Sequence, residues 1–428
     1  MRLKPVQINV NNEKEFIKKA VYFSNSFEES ALFFSNKIKK NKLPKHYYEY
    51  DFIFAFSASK SIKSSHNSIA KLNKFIARNS FWKFGFLSYN LKNEVENLNS
   101  KNHNTFNIPN VFFFVPEFII YKKNDQIFFE SESSCTDCNK VIEEINSIHI
   151  KNPKKINLNF SCSQKKSTYL NKIKQIQDCI LRGEVYELNY CIEFKTKLEI
   201  CAEDFFLLTN KKCMAPFSCF FKFKNLKILS FSPERFLKKN NNKLISQPIK
   251  GTIKKSNSFD QNLDLINKLE KSEKDISENI MIVDLVRNDL SLTAKKNSVK
   301  VEELCKVFTF NNINQMISTV TSEICQSLTF DKIISSTFPM GSMTGAPKIR
   351  SMQLIDKFED FNRGIYSGTI GYIDSKNNFD FNVVIRTIIY DQKDFNLSFS
   401  VGSAITSESD PSKEYDECIE KLKSVFVF

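Results

Sequence analysis

The sequence predicts an α+β protein, and three observations point there. Short apolar runs broken by turn residues recur as two meanders in the second half of the chain, within 217–249 and 370–401. Between and after them lie segments whose apolar residues return at helical spacing. Hydrophobic residues make up 41% of the 428 positions, which allows a sizeable core in one large domain or two ordinary ones.

Residues 1–150 read as mixed helix and strand. The runs 50–56, 84–89 and 111–121 are strand-like. Residues 92–101 and 130–139 are polar and read as loops, the second marking the edge of an N-terminal layer. Leu170, Ile173, Ile176 and Ile180 carry helical spacing through 167–181, and Gly183 fits the C-terminal stop. Strands are expected at 217–223, 226–231 and 244–249, with Asn240-Asn241-Asn242 as a turn. Helices are expected at 275–289 and 301–305, and strands at 370–373, 379–390 and 395–401. Asp410-Pro411 has the form of a helix start, a capping side chain followed by proline in the first turn. Tyr415, Ile419 and Leu422 give that last helix its buried face, and no internal repeat is present.

Composition narrows the class. No apolar run reaches the length of a membrane span, and no apolar segment follows Met1–Pro5 as a secretory signal requires, so the cytoplasm is the expected location. The 11 cysteines lack framework spacing, as reduced thiols do. Cys135 and Cys138 form a lone CxxC whose Ser-rich context favours incidental thiols over zinc or redox use. The formal charge of +14 raises nucleic acid as a partner. Its excess is lysine spread along the chain, which favours a solvated surface and a field attractive to a small anionic substrate; no nucleic-acid partner is expected. All four histidines precede residue 150, so acid–base chemistry beyond that point falls to carboxylates, lysines or tyrosines.

Glycine is scarce, 9 in all, and seven lie after residue 250, so each marks a place where a side chain would not fit. Gln247-Pro248-Ile249-Lys250-Gly251-Thr252 holds a lysine between a φ-fixed proline and a glycine that lets the backbone approach a ligand. Such an amine serves either as a nucleophile, if its surroundings lower its pKa, or as a solvated loop lysine. Asp275 with Glu278, and Glu414 with Glu417, stand at i, i+3 on two expected helices. Facing each other they would suit Mg²⁺; alone, each pair reads as a solvated helix face. The stretch 338–348 (FPMGSMTGAPK) has the wrong glycine spacing for a Walker A loop and reads as a small-residue turn feeding a helix near Pro347, whose N-terminus offers N–H groups to an anion. Arg386, placed mid-strand within 379–390, either pairs with a protein carboxylate or receives a ligand carboxylate as a fork. Glu234 is a candidate acid or base that Arg235 could instead neutralise.

Together these blocks resemble the chorismate-utilising enzymes, the family of anthranilate synthase component I, aminodeoxychorismate synthase component I and the isochorismate and salicylate synthases. The matching stretches run in order through 232–236, 248–252, 278–290 (ENIMIVDLVRNDL), 338–356, 363–373 (RGIYSGTIGYI), 381–387 (FNVVIRT) and 401–421. The resemblance implies the anthranilate synthase component I-like fold, two packed antiparallel sheets with outer helices. It divides the chain into an N-terminal region, 1–150, and a chorismate-binding catalytic region, 151–428. Within the family, PIKGT around Lys250 is similar to the aminodeoxychorismate-forming branch, where anthranilate synthases generally carry alanine. Asn189 and residues 215–218 resemble that branch too, as do 81–92 and 115–120 more faintly. Residues 184–190 lack the lysine of the isochorismate branch.

The resemblance assigns roles as expectations. Glu278 and Glu417, with Glu414 and Asp275 near, would hold Mg²⁺ against the ring carboxylate of chorismate. Gly251, Thr252, Tyr366, Arg386, Gly402 and Ser403 would line the substrate site, and Lys421 would help bind a carboxylate. Lys250, kept neutral by burial or a nearby cation, would attack ring C2 while Glu234 protonates the departing C4 hydroxyl, and ammonia would then displace the lysine at C4. The product would be 4-amino-4-deoxychorismate, the precursor of 4-aminobenzoate and folate. Residues 1–150 are too short for an amidotransferase domain, which implies a separate glutamine amidotransferase subunit unless free ammonia serves. Three departures stand out. Gln315 occupies a position where the family often has histidine, the glycine triplet at 402–404 is partly kept, and Asp275 is shorter than the usual glutamate. Anthranilate synthase component I is the alternative within the family, and a non-catalytic basic nucleic-acid-binding protein is the alternative outside it.

Overall fold

The computed structural model describes residues 4–36, 43–150 and 159–425. Among them the strands are β1 (Val6–Ile8), β2 (Glu29–Phe34), β3 (Phe52–Ser64), β4 (Lys83–Leu87), β5 (Val111–Lys123), β6 (Gln126–Ser131), β7 (Ser161–Cys162), β8 (Glu187–Lys197), β9 (Phe217–Phe223) and β10 (Leu226–Ser232). They continue with β11 (Arg235–Asn240), β12 (Lys243–Gln247), β13 (Ile249–Lys254), β14 (Lys300–Thr309), β15 (Ile313–Glu323), β16 (Gly345–Ala346), β17 (Thr369–Ile373), β18 (Phe379–Asn382), β19 (Thr387–Asp391) and β20 (Asn396–Ile405). The helices are α1 (Glu13–Phe23), α2 (Ser68–Arg78), α3 (Lys92–Val95), α4 (Cys138–Ser147), α5 (Lys166–Leu181), α6 (Ala202–Cys213), α7 (Phe259–Glu270), α8 (Glu273–Ser291), α9 (Phe330–Thr337), α10 (Lys348–Phe358) and α11 (Pro411–Val425).

All strand pairs are antiparallel and they trace two sheets. The first runs β1-β6-β5-β3-β2-β9-β10-β19-β20-β8, with β7 and β16 added along the free side of β8. The second runs β4-β17-β18-β11-β12-β15, with β13 continuing the β12 side of β15 and β14 on its other side. The sheets join where the first half of β5 pairs with both β3 and β4.

Period-two alternation explains the layering. Along β3, Phe52, Phe54 and Phe56 face the core beneath α1, α4, α5 and α6, while Ile53 and Ala55 enter the core between the sheets. Phe84, Phe86, Phe112, Phe114 and Phe221 fill that inter-sheet core. A third core lies outside the second sheet, where Leu72, Ile282, Val286 and Ile333 bring in α2, α8 and α9. The result is two packed antiparallel sheets with outer helices, as expected. Because both faces of most strands are covered, they read as near-continuous apolar runs, which made 111–121 and 217–223 legible.

Several expectations are corrected. Residues 301–305 belong to β14, not to a helix. The expected strand 379–390 is broken into β18 and β19, with Arg386 at φ 51° in the gap. The loop expected at 92–101 opens with α3, whose Lys92 is buried in an ion pair with Asp356 at 2.6 Å. The expected loop 130–139 is taken up at its ends by β6 and α4. The proposed division at residue 150 adjoins residues outside the described set. On either side of it the strands share sheets, β2 with β9 and β4 with β17.

Candidate active site

The far ends of the two sheets, β8–β20 and β13–β15, face each other across a cleft of about 670 Å³ closed by α8 and α11. Lys250, Glu234, Gly251, Thr252, Tyr366 and Arg386 line it, as do Gly402, Ser403, Glu278, Glu417 and Lys421. Residues separated by up to 187 positions are thus gathered at one place. Glu414, buried at 3% exposure, stands behind the wall on α11. A second cavity near the sheet junction is only about 60 Å³, and its Arg235 and Asp380 already pair with each other.

Lys250 is aimed by a bulge. The register of β13 against β15 slips between Ile249 and Thr252, and Gly251 sits there at φ +81°, a conformation that favours glycine. A Cβ on Gly251 would also meet Asp275 at 3.0 Å. The side chain of Lys250 turns inward, and its Nζ donates to Glu187 Oε1 at 2.9 Å and to Glu278 Oε2 at 3.5 Å. Burial works to lower the lysine pKa, but Glu187 and Glu278 more than offset it and hold the group well above its ordinary value. The expectation of a neutral Lys250 is therefore corrected for the unliganded cleft: the carboxylates around it stabilise the ammonium.

Glu234 lies between β10 and β11, with its neighbour Arg235 pointing to the opposite side. Arg235 forks onto Asp380 with two 2.8 Å hydrogen bonds, so it does not neutralise Glu234. Burial pushes Glu234 up to about 7, against the hydrogen bond that Ser342 Oγ donates to it at 2.7 Å. It can therefore carry a proton at neutral pH. Ser342 comes from the 338–348 turn, whose glycines serve packing: a Cβ on Gly341 would meet Leu285 at 2.6 Å, and one on Gly345 would meet the Glu187 carbonyl at 2.1 Å. Lys348 pairs with Asp289 rather than waiting for an anion.

Arg386 answers the question its position left open. Among the described residues its guanidinium has no ion-pair or hydrogen-bond partner, and burial lowers its pKa. A half-buried, unpaired guanidinium on a cleft wall is arranged to fork onto a ligand carboxylate. Gly402 lets β20 press close to β8, since a Cβ there would meet Cys191 Sγ at 2.6 Å, and its carbonyl accepts from Lys421 Nζ at 2.8 Å. Ser403 Oγ lies 3.1 Å from the Tyr169 hydroxyl. Gln315, opposite Thr252 on β15, reaches the Thr252 hydroxyl at 3.4 Å, while its own Oε1 is buried without a hydrogen-bond partner.

The carboxylates expected to hold Mg²⁺ come from two facing helices. Asp275 lies in the first turn of α8, and Ser272 caps that turn. Lys274 joins the helices through Glu278 at 3.9 Å and Glu414 at 3.5 Å, and Glu417 pairs with Lys421 at 2.6 Å. Among the described residues no group of three or more His, Cys, Asp or Glu surrounds a metal-sized point. The donor set still fits Mg²⁺, which is commonly held by one or two carboxylates together with water and substrate oxygens. Glu278 Oε1 is buried without a hydrogen-bond partner and is suited to such a cation.

One residue was missed. Glu187, which opens β8 and is 1% exposed, makes the shortest polar contact of Lys250. Its segment was read only for the lysine it lacks, and nothing in 184–190 alone places a glutamate against residue 250.

The sandwich thus gathers in one cleft an amine, a carboxyl able to hold a proton and a guanidinium unpaired among the described residues. A family model described as chorismate binding enzyme matches residues 20–427, and the chain belongs to that family. It is 37% identical over 269 residues to a probable chloroplastic aminodeoxychorismate synthase of Oryza sativa subsp. japonica, covering 62% of this chain and 30% of that protein. It is 36% identical over 257 residues to aminodeoxychorismate synthase component 1 of Salmonella typhimurium, covering 60% of this chain and 56% of that protein. The chain thus spans between about a third and about half of the length of these relatives. The crystal structure of anthranilate synthase component I from Streptococcus pneumoniae shares the fold, with a TM-score of 0.80 at 23% identity over 91% of this chain and 95% of that one.

Proposed function

We propose that this chain converts chorismate and ammonia to 4-amino-4-deoxychorismate through a covalent bond between Lys250 and the ring. The observation that carries the reading is the Lys250 amine in a cleft that is lined also by Glu234, a carboxyl raised to about 7, and by Arg386, a guanidinium without a partner among the described residues. The named relatives support it, since aminodeoxychorismate synthases stand among them.

Arg386 would fork onto one carboxylate of the substrate, and Lys421, held near Gly402, would face the other. Nζ of Lys250 attacks C2, the two ring double bonds shift, and the C4–O bond breaks. Glu234 gives the departing hydroxyl its proton, so water leaves. Ammonia then bonds to C4, the double bonds return, and the C2–Nζ bond breaks to free the lysine. Gln315 stands at the wall where a histidine would supply a proton, and its amide has none to give at neutral pH, which leaves Glu234 as the acid on this path. Glu278, with Glu414 and Glu417 near, would hold Mg²⁺, which when bound neutralises carboxylate charge and fixes the ring. Ammonia would come from glutamine through an amidotransferase, and the product would feed 4-aminobenzoate and folate synthesis. All 11 cysteines are free thiols, as suits a reducing compartment such as the cytoplasm, and no described helix is long and apolar enough to cross a membrane.

Lys250→Ala tests the reading. The variant is expected to form no aminodeoxychorismate from chorismate and ammonium while still binding Mg²⁺. Full activity in the variant would refute the covalent role.

A further inference from the structure

We propose that Glu187 is a second catalytic carboxylate, which takes the proton that Lys250 must lose before it attacks and returns it when the lysine departs. The inference rests on the covalent role of Lys250 proposed above.

Four observations carry it. Glu187 Oε1 lies 2.9 Å from Lys250 Nζ, closer than Glu278 at 3.5 Å. The Glu187 side chain is 1% exposed, so water does not compete for the proton. Its Oε2 is buried without a hydrogen-bond partner, which leaves the carboxyl group able to hold a proton on either oxygen. The other two carboxyl groups near the lysine have separate engagements: Glu278 is shared with Lys274, and Glu234 is held by Ser342.

The position is built rather than incidental. Glu187 pairs with Ala346 across β8 and β16, and the Tyr186 N–H donates to the Ala346 carbonyl at 2.7 Å. Gly345 permits that approach, because a Cβ there would strike the Glu187 carbonyl at 2.1 Å. Main chain is thus pinned on both sides of the carboxylate, which is how a base is kept within reach of one proton.

The steps balance. The Lys250 ammonium passes one proton to Glu187, leaving an amine with a lone pair. The Nζ–C2 bond forms, the C4–O bond breaks, and water leaves with the proton of Glu234. Ammonia bonds to C4 as the C2–Nζ bond breaks, releasing a neutral lysine amine. Glu187 then returns its proton to Nζ, and the amine on C4 carries the proton that restores Glu234. Net, chorismate and ammonia give aminodeoxychorismate and water.

Glutamine at position 187 would keep the shape and one acceptor oxygen but could not hold the proton, which separates this role from simple charge balance. Native chain and Glu187→Gln are incubated with chorismate and Mg²⁺ without ammonia. Mass spectrometry then follows the gain of chorismate minus water on the Lys250 peptide, and chorismate affinity is measured separately by equilibrium titration. The native chain is expected to form the adduct, Glu187→Gln to form it roughly 10²-fold more slowly with affinity little changed, and Glu187→Asp to recover part of the rate. Adduct formation at the native rate in Glu187→Gln overturns the proposal while leaving Lys250 in its role. Slow adduct formation that merely tracks lost chorismate affinity also overturns it, as a structural effect. A native chain that forms no adduct overturns the covalent reading and this role together.

Discussion

Two carboxylates show how environment sets chemically identical groups apart. Glu234 is surrounded by β10, β11 and the 338–348 turn, and burial lifts it to about 7. Glu187 faces an ammonium at 2.9 Å. Since a carboxyl raised from its ordinary 4.5 is protonated below its shifted value, the acid form of Glu234 is present at pH 6 and lost as the pH rises through about 7. The single-turnover rate of C4–O cleavage is therefore expected to fall across that interval. Glu234→Gln is expected to remove that limb and slow the step by roughly 10²-fold. Stopped-flow measurement from pH 5.5 to 8.5 checks this; a native profile flat through pH 7 contradicts it. At this scale the site was largely legible, because Lys250, Glu234 and Arg386 each combined a chemical group with an unusual local frame. Glu187 was not, because its meaning comes from a contact 63 residues away.

Among the elements, two of the misreadings share one cause, irregularity in a strand. Val301 and Leu304 sit three apart and imitate a helix face, yet β14 slips register between Val301 and Glu303 and again between Glu303 and Lys306. The bulges turn a period of two into something nearer three, and both residues stay exposed. The gap between β18 and β19 likewise removes Arg386 from the strand expected over 379–390. The strand β11 also slips register just after Arg235, and that side chain, 1% exposed, ties the strand to Asp380 of β18 and to the Tyr47 carbonyl. Arg235→Met leaves the largely buried Asp380 carboxylate without its fork and is expected to cost about 3–5 kcal/mol in denaturant unfolding. A loss under ~1 kcal/mol, the scale of an exposed pair, would show that solvent reaches the bridge.

For the whole molecule, two sheets joined at β5 place their opposite ends across one cleft, so the site depends on strands from both halves of the chain. The order of the blocks along the sequence indicated the family; the sandwich itself required long-range pairings, such as β2 with β9 and β4 with β17, that no local pattern encodes. The cleft is balanced in charge, with Lys250, Lys254, Lys274, Arg386 and Lys421 set among Glu234, Asp275, Glu278, Glu417 and Glu420, so the net charge of +14 is carried elsewhere on the chain. The proposed reaction is defined by the identity of its product. Purified chain with chorismate, Mg²⁺ and ammonium, followed by mass spectrometry of the reaction mixture, tests it most directly. The expected result is 4-amino-4-deoxychorismate, converted to 4-aminobenzoate when the corresponding lyase is added; anthranilate as the main product would contradict it.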